Sequence, residues 1–368
     1  MRLMIVMLLI VTTILTGCWD QKVFEKTGYI LQMGIESGKT AELLITYTSP
    51  VVGGEIKEQV EIINIQGDIL REARENARLL SPKLLEGGKI QQLLISNKMA
   101  EKGINELLDL FHRDPALPTL ALIVVIEGSP YEMLKRATTF EDKPRAAFYI
   151  NELLKSNIIS SYIPETRIWN FSALSLAPGI DPITPILKLQ GEGIKVTGSA
   201  LFSQDKMVGK LSPRETSLLL AMMGKLKPTE YVGNILPTED KAAGEKARTA
   251  VLIRTAKSKL NVSFSDDEPI VSIAMKIDCI LDEFQLNSIS DADDQKVLEQ
   301  QLSTEIKNKC VKILDYLKST GSDPLGIGNI VRAKYNDYWQ QVDWKEAYKE
   351  VEMDVSVRLD IKQFGTIY

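Results

Sequence analysis

Alternation of apolar and polar residues is clearest in the last third of the chain. Apolar side chains occupy every second position from Val351 to Ile361, and residues 271–281 repeat this pattern. Strict alternation over such a length predicts strands with one face in a core. Residues 291–319 have a helical period instead, with one apolar stripe formed by Leu298, Leu302, Ile306, Cys310, Leu314 and Leu317. Gly321 follows as a C′ glycine. A long helix beside alternating strands predicts an antiparallel sheet with the helix on its apolar face.

The first part of the chain has shorter apolar segments. They predict strands at residues 29–35, 41–48, 59–65, 89–96 and 120–127, and helices at 68–80, 99–111, 130–137 and 144–158. Segment 120–127 is nearly all apolar, which is typical of a strand buried on both faces. Because strands alternate with helices, the pattern predicts a mixed layer with parallel neighbours.

The helix at residues 68–80 has two distinct faces. Asp68 is the predicted N-cap, and the predicted core face consists of Ile69, Ala73, Ala77 and Leu80. Three arginines, Arg71, Arg74 and Arg78, form a second face that could bind an anion. We favour a solvated face instead, because glutamates are interspersed among these arginines.

Four prolines punctuate residues 164–187, namely Pro164, Pro178, Pro182 and Pro185. We interpret this stretch as a packed connection rather than a helix or a strand, since it also carries apolar side chains. Residues 194–211 then predict a hairpin with its turn at 203–206. Residues 224–246 predict a surface loop, and 249–264 one or two strands.

A helix is predicted from Ser212 to about Met223. Ser212 is the expected N-cap, Pro213 occupies the first helical position, and Glu215 completes a capping box.

Together these elements predict an α+β fold. We expect two to three domains of mixed and antiparallel sheets flanked by helices, the last an antiparallel sheet packed on the long helix. The predicted division is a signal peptide at 1–17, an N-terminal α/β region at 18–187 with room for two subdomains, and a C-terminal domain at 188–368.

The amino terminus predicts export and lipidation. A short apolar run from Leu3 to Leu15 follows Arg2, as in a secretory signal. It is too short for a permanent span, which needs about 20 apolar residues. Leu15-Thr16-Gly17-Cys18 resembles a bacterial lipobox. This resemblance implies a diacylglyceryl group on the Cys18 sulfur and cleavage before Cys18, and therefore attachment to a membrane.

Net charge restricts the classes of partner that the chain could bind. The net charge is −5 and the isoelectric point about 5.3, whereas nucleic-acid binders show a basic face. We therefore expect no nucleic-acid partner, and charge alone would not hold the chain on an anionic membrane.

Candidate catalytic chemistry is sparse. His112 is the only histidine, and a catalytic interpretation would pair it with Asp114. No Gly-x-Ser-x-Gly motif accompanies it. We favour a structural role at the negative end of a helix, and we expect no catalytic residue, no cofactor and no enzymatic activity.

Three further clusters have a structural interpretation beside a functional one. Asp291, Asp293 and Asp294 resemble part of a calcium loop but lack its glycine and terminal glutamate, so we expect an acidic first helical turn and no metal site. Cys279 and Cys310 are not spaced like zinc ligands; buried thiols are favoured, with a disulfide as the alternative in an exported protein. An aromatic cluster is favoured as core packing over a ligand platform or subunit contact: Tyr335, Tyr338, Trp339 and Trp344.

Four segments in order resemble the Ger(x)C family, the lipoprotein C subunits of nutrient germinant receptors. They are Gly17-Cys18-Trp19-Asp20; Asn97 to Ile104 followed by Phe111 to Pro115; Gly198 to Glu215; and Asp323 to Gly328 with Trp339, Trp344 and Gly365. The resemblance implies a fold of three domains of mixed sheets and helices. It also implies attachment to the outer face of the spore inner membrane and a complex with two integral membrane subunits, A and B.

The leading hypothesis is therefore a lipid-anchored, non-enzymatic receptor subunit needed for germination in response to nutrients. It would act by binding and coupling to membrane partners. The alternative is a solute-binding lipoprotein that feeds a transporter, since it would share the anchor and the two-region layout. An exported enzyme is the third hypothesis.

Overall fold

The structure, a computed structural model, describes residues 4, 26–51, 60–140, 144, 146–235, 247–265, 268–284 and 292–364. The predicted α+β class is confirmed. Cys18, the signal segment 1–17 apart from residue 4, Asp291 and Gly365 lie outside the described residues.

The strands are β1 (Thr27–Tyr29), β2 (Gln32–Ser37), β3 (Leu43–Pro50), β4 (Val60–Gly67), β5 (Leu84–Glu86), β6 (Gln92–Ser96), β7 (Leu122–Glu127), β8 (Ile183–Gln190), β9 (Gly193–Ser203), β10 (Lys206–Leu211), β11 (Thr229–Ile235), β12 (Ala247–Ser265), β13 (Glu268–Phe284) and β14 (Glu352–Phe364). The helices are α1 (Leu70–Leu80), α2 (Asn97–Lys102), α3 (Asn105–Arg113), α4 (Pro130–Ala137), α5 (Ala146–Ile159), α6 (Ile168–Ser175), α7 (Pro213–Met222), α8 (Ala292–Thr320), α9 (Ile327–Lys334), α10 (Asn336–Trp339) and α11 (Trp344–Glu350).

The described strands form three sheets, and the smallest is a parallel pair of β1 and β5. An eight-stranded sheet forms the larger layer, in the order β10-β9-β8-β7-β6-β2-β3-β4. Its centre is parallel, because β2 pairs with β6, β6 with β7, and β7 with β8 in the same direction. One core cluster includes residues of α1, α2, α3 and α6, and another includes residues of α4 and α5. Strand β7 is buried at Leu122–Ile126. The prediction of parallel neighbours with a doubly buried strand is confirmed.

The predicted hairpin is present as β9 and β10, which pair antiparallel. Strand β9 also pairs with β8, so the hairpin forms the edge of the eight-stranded sheet. This sheet therefore includes strands from both sides of the predicted division at residue 187. The division itself stays a prediction.

The smaller sheet has the order β11-β12-β13-β14, and its buried residues share one core cluster with α7 and α8. The predicted apolar stripe of α8 is fully buried, and Gly321 has the positive φ of +66° expected of a C′ residue. One pairing differs from the prediction, because β14 runs parallel to β13. Helices α8 to α11 carry the chain back along the sheet, which is the crossover that a parallel pair needs.

Helix α1 differs from its predicted faces. Its N-cap is Ile69 rather than Asp68, because the Asp68 Oδ1 atom accepts instead from the amide of Glu42 at 3.2 Å. Ile69 and Leu80 are exposed, and the buried face consists of Leu70, Ala73 and Ala77. The helical pattern was therefore right and its assigned face was rotated.

Three other predictions need correction. The helix predicted at 99–111 is two helices, α2 and α3, which are separated at Gly103 with φ of +115°. The connection predicted at 164–187 contains α6 and much of β8, since its prolines lie outside the helix or within the sheet. The loop predicted at 224–246 contains β11, which pairs with β12. By contrast, the Ser212 capping box is confirmed.

Candidate functional site

His112, Arg113 and Asp114 do not assemble into a catalytic group. His112 Nε2 lies 2.8 Å from Ser172 Oγ, whereas Asp114 forms an ion pair with Arg74. The Ala116 amide and Arg74 hold the pKa of Asp114 below its ordinary value, although partial burial opposes them. Because Asp114 faces Arg74, it does not orient the imidazole, and the arrangement fits the structural role at the end of α3.

The three arginines of α1 do not form an anion site together. Arg74 is used by Asp114, and Arg78 pairs with Glu75 in its own helix at 2.9 Å. Arg71 is exposed. The solvated-face interpretation therefore holds for Arg71, whereas Arg74 is only 18% exposed and packs against Asp114.

The acidic residues at the start of α8 are part of its first turn. Asp293 Oδ1 lies 3.2 Å from Lys296 Nζ. Within the described ranges, no group of three or more His, Cys, Asp or Glu side chains is placed to hold a metal ion.

Cys279 and Cys310 are both free and buried, in β13 and α8 respectively. Burial raises the pKa of each thiol to about 12, and nearby carboxylates add to the effect at Cys279. Both therefore behave as small core side chains, as favoured over a disulfide.

The aromatic cluster packs on the core of the smaller sheet. The Trp339 and Trp344 ring centroids are 5.6 Å apart, and Trp344 is 6.0 Å from Tyr348. Phe264 of β12, which the sequence interpretation missed, contacts both Tyr335 and Tyr338. Trp344 and Tyr348 are buried, so core packing describes this cluster better than an open ligand platform.

A buried junction connects the two sheets through two carboxylates. Asp181 lies between α6 and β8, and Asp323 follows the end of α8. The Asp323 amide donates to Asp181 Oδ2 at 2.8 Å, and the Asp181 amide donates back to the Asp323 carbonyl at 2.9 Å. This reciprocal pair closes a contact between segments 142 residues apart.

Asp323 also organises the start of α9. Its Oδ1 and Oδ2 atoms accept from the amides of Ile327 at 3.0 Å and Gly328 at 2.8 Å. Complete burial raises its pKa to about 7; these amide hydrogen bonds oppose the shift, and the charge of Asp181 adds to it. Burial likewise raises the pKa of Asp181, against two amide hydrogen bonds. The junction therefore concentrates two perturbed carboxyl groups where the regions meet.

The turn of the β9–β10 hairpin contacts the two carboxylate segments and completes the junction. The Gln204 amide donates to Asp181 Oδ1 at 2.6 Å, and Lys345 Nζ donates to Gln204 Oε1 at 3.0 Å. The neighbouring Asp205 Oδ2 accepts from the Asn105 amide at 3.1 Å, at the start of α3. This turn thus contacts the larger sheet's helices, the connection and the last helices together. We call Asp181, Gln204, Asp205 and Asp323 the hairpin junction.

Two glycines allow the close approach on which the junction depends. A Cβ atom on Gly179 would lie 2.5 Å from the Gly328 backbone, and one on Gly328 would lie 2.3 Å from Trp344 Nε1. The Asn329 amide donates to the Gly179 carbonyl at 2.8 Å. Side chains at these positions would push the two segments apart.

The sequence interpretation found part of this junction and missed the rest. The motif segments 97–104, 198–215 and 323–328 contain Gly103, Asp205 and Asp323, which the structure brings to the junction. Asp181 and Gly179 lie in the predicted connection. The available signal was a Gly-x-Asp sequence inside a proline-rich stretch, and such a sequence is common in turns.

Two family models match the chain in succession. One, described as the spore germination protein N-terminal domain, matches residues 20–189, and one described as spore germination B3/GerAC like, C-terminal, matches residues 197–365. Among the residues that the structure describes, no helix combines the length and apolar character needed to cross a bilayer.

Relatives match over nearly their whole length. Spore germination protein GerQC of Bacillus cereus is 21% identical over 362 residues, with 98% of each chain covered. Spore germination protein KC of Bacillus subtilis strain 168 is 22% identical, covering 99% of this chain and 96% of that relative. The crystal structure of the GerBC protein matches with a TM-score of 0.61 at 17% identity, covering 90% of this chain and 96% of GerBC. This likeness shows a shared fold.

The paired family models, the full-length relatives and the shared fold agree with the resemblance carried by the four motif segments. The matches are to a non-enzymatic class of proteins, in keeping with the expectation that the chain is not an enzyme. The chain belongs to the Ger(x)C family of spore germination proteins.

Proposed function

We propose that the chain is a lipid-anchored subunit of a nutrient germinant receptor. It is held on the outer face of the spore inner membrane through Cys18 and works with the integral membrane A and B subunits. The observation that carries this proposal is the lipobox-like Leu15-Thr16-Gly17-Cys18 at the start of a chain that belongs to a spore germination family.

The hairpin junction supports a coupling role rather than a catalytic one. It joins the two sheets through buried hydrogen bonds that depend on a close fit, such as those of Asp181 and Asp323. A partner that bound one region would change the relative free energies of two arrangements of this contact, and thereby affect the other region. The chain's contribution to germination would then be binding and conformational coupling.

Germination of spores that lack the chain tests the proposed function. We would offer amino acids and sugars one at a time, and then bypass the receptors with calcium dipicolinate. Loss of one nutrient response with an intact bypass is the expected result. If the null spores kept every response, and also lost uptake of a solute during growth, the transporter alternative would replace this proposal.

The anchor has its own test. Cys18→Ala should leave the fold intact and move the chain from the membrane pellet to the soluble fraction, because two or more acyl chains are needed for stable attachment. Cys279→Ala is the matched control, since that thiol is buried. If Cys18→Ala stayed in the pellet of cells lacking the A and B subunits, the lipid anchor would be wrong.

A further inference from the structure

Exposed apolar side chains are concentrated at one end of the larger sheet. We call this group the apolar edge; it consists of Leu79, Leu80, Leu84, Leu120, Ile159 and Trp169. Leu79 at the end of α1 is 86% exposed. A group of exposed apolar side chains in one region marks an interaction site more often than isolated residues do.

Backbone hydrogen bonds hold these segments together at the amino-terminal end of the parallel strands. The Ile30 amide donates to the Glu86 carbonyl at 2.9 Å, and the Gln91 amide donates to the Leu31 carbonyl at 2.8 Å. The Leu122 amide donates to the Gln91 carbonyl at 2.8 Å, and the Trp169 amide donates to the Thr119 carbonyl at 3.0 Å. Leu120 and Ile159 also border one cleft with Arg167. These hydrogen bonds place the segments that carry Leu84, Leu120 and Trp169 side by side, with Leu84 in the small β1–β5 sheet next to the larger one. Leu79 and Leu80 end α1, a few residues before Leu84 in the chain.

The first strand that the structure describes begins at this same edge. Thr27 of β1 pairs with Leu84 of β5, and Thr27 is nine residues after Cys18. A chain of that length reaches at most about 30 Å. Since neighbouring strands are about 4.8 Å apart, the whole apolar edge lies within reach of a membrane to which Cys18 is attached.

Basic and aromatic residues complete the pattern of a bilayer interface. Lys26 and Lys83 immediately precede the paired residues Thr27 and Leu84, and Lys227 lines the cleft beside Leu120. Lysine stems can lie along apolar surface while their ammonium groups reach lipid phosphates. Trp169 is 51% exposed, and tryptophan favours the headgroup region of membranes.

We propose that the apolar edge is a bilayer-facing surface that inserts into the headgroup region of an anionic phospholipid membrane. The proposal rests on the proposed lipid anchor at Cys18: the acyl chains supply the affinity, and the apolar edge sets the orientation.

Site-specific fluorescence on a membrane-tethered chain tests this orientation. Residues 19–368 behind a histidine tag would be bound to vesicles of phosphatidylethanolamine, phosphatidylglycerol and a nickel-chelating lipid, so the test does not depend on lipidation of Cys18. Single cysteines at Leu80, Leu120, Ile69 or Leu176 would carry an environment-sensitive dye. The natural Cys279 and Cys310 are buried and would not compete for it.

We expect the dye at Leu80→Cys and Leu120→Cys to shift to the blue and to be quenched by brominated lipid. Ile69→Cys is the matched control, because Ile69 immediately precedes α1 and Leu80 is its last residue. Their side chains are 62% and 63% exposed. Leu176→Cys, beyond the end of α6, is the second control. Equal quenching at all four positions, or quenching only at the controls, would overturn the proposal.

Vesicle sedimentation of the untethered chain gives a second readout. Leu80→Ser should lower its partition into vesicles containing phosphatidylglycerol by about tenfold, and Ile69→Ser should leave it unchanged. If the Leu80 and Leu120 dyes became shielded only when another membrane protein was present, the edge would be a protein interface and the bilayer proposal would be wrong. If Cys18→Ala stayed in the membrane pellet but the vesicle experiments gave the expected results, the lipid anchor would be rejected and the bilayer-facing surface would be supported.

Discussion

The eight-stranded and the four-stranded sheet differ in how many of their faces other elements cover, and their sequences differ accordingly. The larger sheet has core clusters that involve helices on both of its sides, and its strand β7 is a continuous buried run. The smaller sheet shares one core cluster with α7 and α8, and β13 alternates buried and more exposed residues along most of its length. A strand that is covered on one face can alternate apolar and polar residues, whereas a strand covered on both faces is apolar along its whole length.

The difference extends to the polar residues of the two sheets. The less covered face of the smaller sheet carries a charged network in which Asp360 contacts Lys276, Arg358 and Lys362. In the larger sheet the polar side chains that are buried include Gln32 and Thr48, which are joined by a hydrogen bond of 3.2 Å. The hairpin junction connects these two kinds of layer. Substitutions there should therefore have the largest effect on how the two layers unfold together.

The largest expected effect comes from cutting the junction. Asp323→Ala leaves the buried amides of Ile327 and Gly328 without their acceptor, which should lower the free energy of unfolding by about 3 kcal/mol. We also expect the two regions to unfold in separate transitions in calorimetry. Asp343→Ala is the control: Asp343 caps α11 through the Lys345 amide, and its loss should cost about 1 kcal/mol. One unshifted transition in Asp323→Ala would contradict a coupling role for the junction.

Substitutions at two adjacent residues of one strand test whether one or both faces of its sheet are covered. Val124→Thr and Val125→Thr in β7 each place a hydroxyl in a core and should each cost about 1–3 kcal/mol. In β13, Val271→Thr should cost as much, but its exposed neighbour Ser272→Thr should change stability by less than about 0.5 kcal/mol. Urea denaturation of the four variants measures this. Equal costs at both β13 positions would show that the second face of the smaller sheet is also covered.

A smaller effect is expected from pH at the junction. Burial raises the pKa of Asp323 from 3.8 to about 7, so in this interval the folded protein binds a proton that the unfolded chain has released. Stability should therefore fall by about 1.4 kcal/mol for each pH unit as pH rises through the interval. Asp323→Asn should remove this dependence of the melting temperature on pH. A wild-type stability that rises steadily over the same interval would show that Asp323 stays ionised when folded.

The smallest effect is expected on the exposed face of the smaller sheet. Partial burial raises the pKa of Asp360, but hydrogen bonds and charge from Arg358 and Lys362 outweigh it and lower the pKa overall. The ion pairs are solvent-screened, so Asp360→Asn should cost less than about 1 kcal/mol. Because the pKa is lowered, this contribution is present above pH 3.8 and is lost below it. Denaturation at low and high salt measures it, and a salt-independent cost above that limit would mean that the network is buried.

Local pattern predicted many of the elements that surround the junction. The stripe of α8, the alternation of β13 and β14 and the capping box at Ser212 were readable because each depends on residues close in the chain. The error at Asp68 was also local, whereas β11 in the 224–246 segment is defined by its pairing with β12. A helix start can move by one or two residues when a nearby amide, here that of Glu42, competes for the capping carboxylate.

What the sequence by itself determined is the period of the apolar residues, the buried face of the long elements α8, β13 and β14, and where chain-breaking residues stop an element. Only the tertiary structure decided that β14 lies parallel to β13, that the β9–β10 hairpin extends the larger sheet, and that Asp181 meets Asp323 across 142 residues. The physical reason is that periodicity describes a face but not its partner. The choice of partner depends on how all faces are buried at once, and on whether buried carboxylates find enough donors from distant segments.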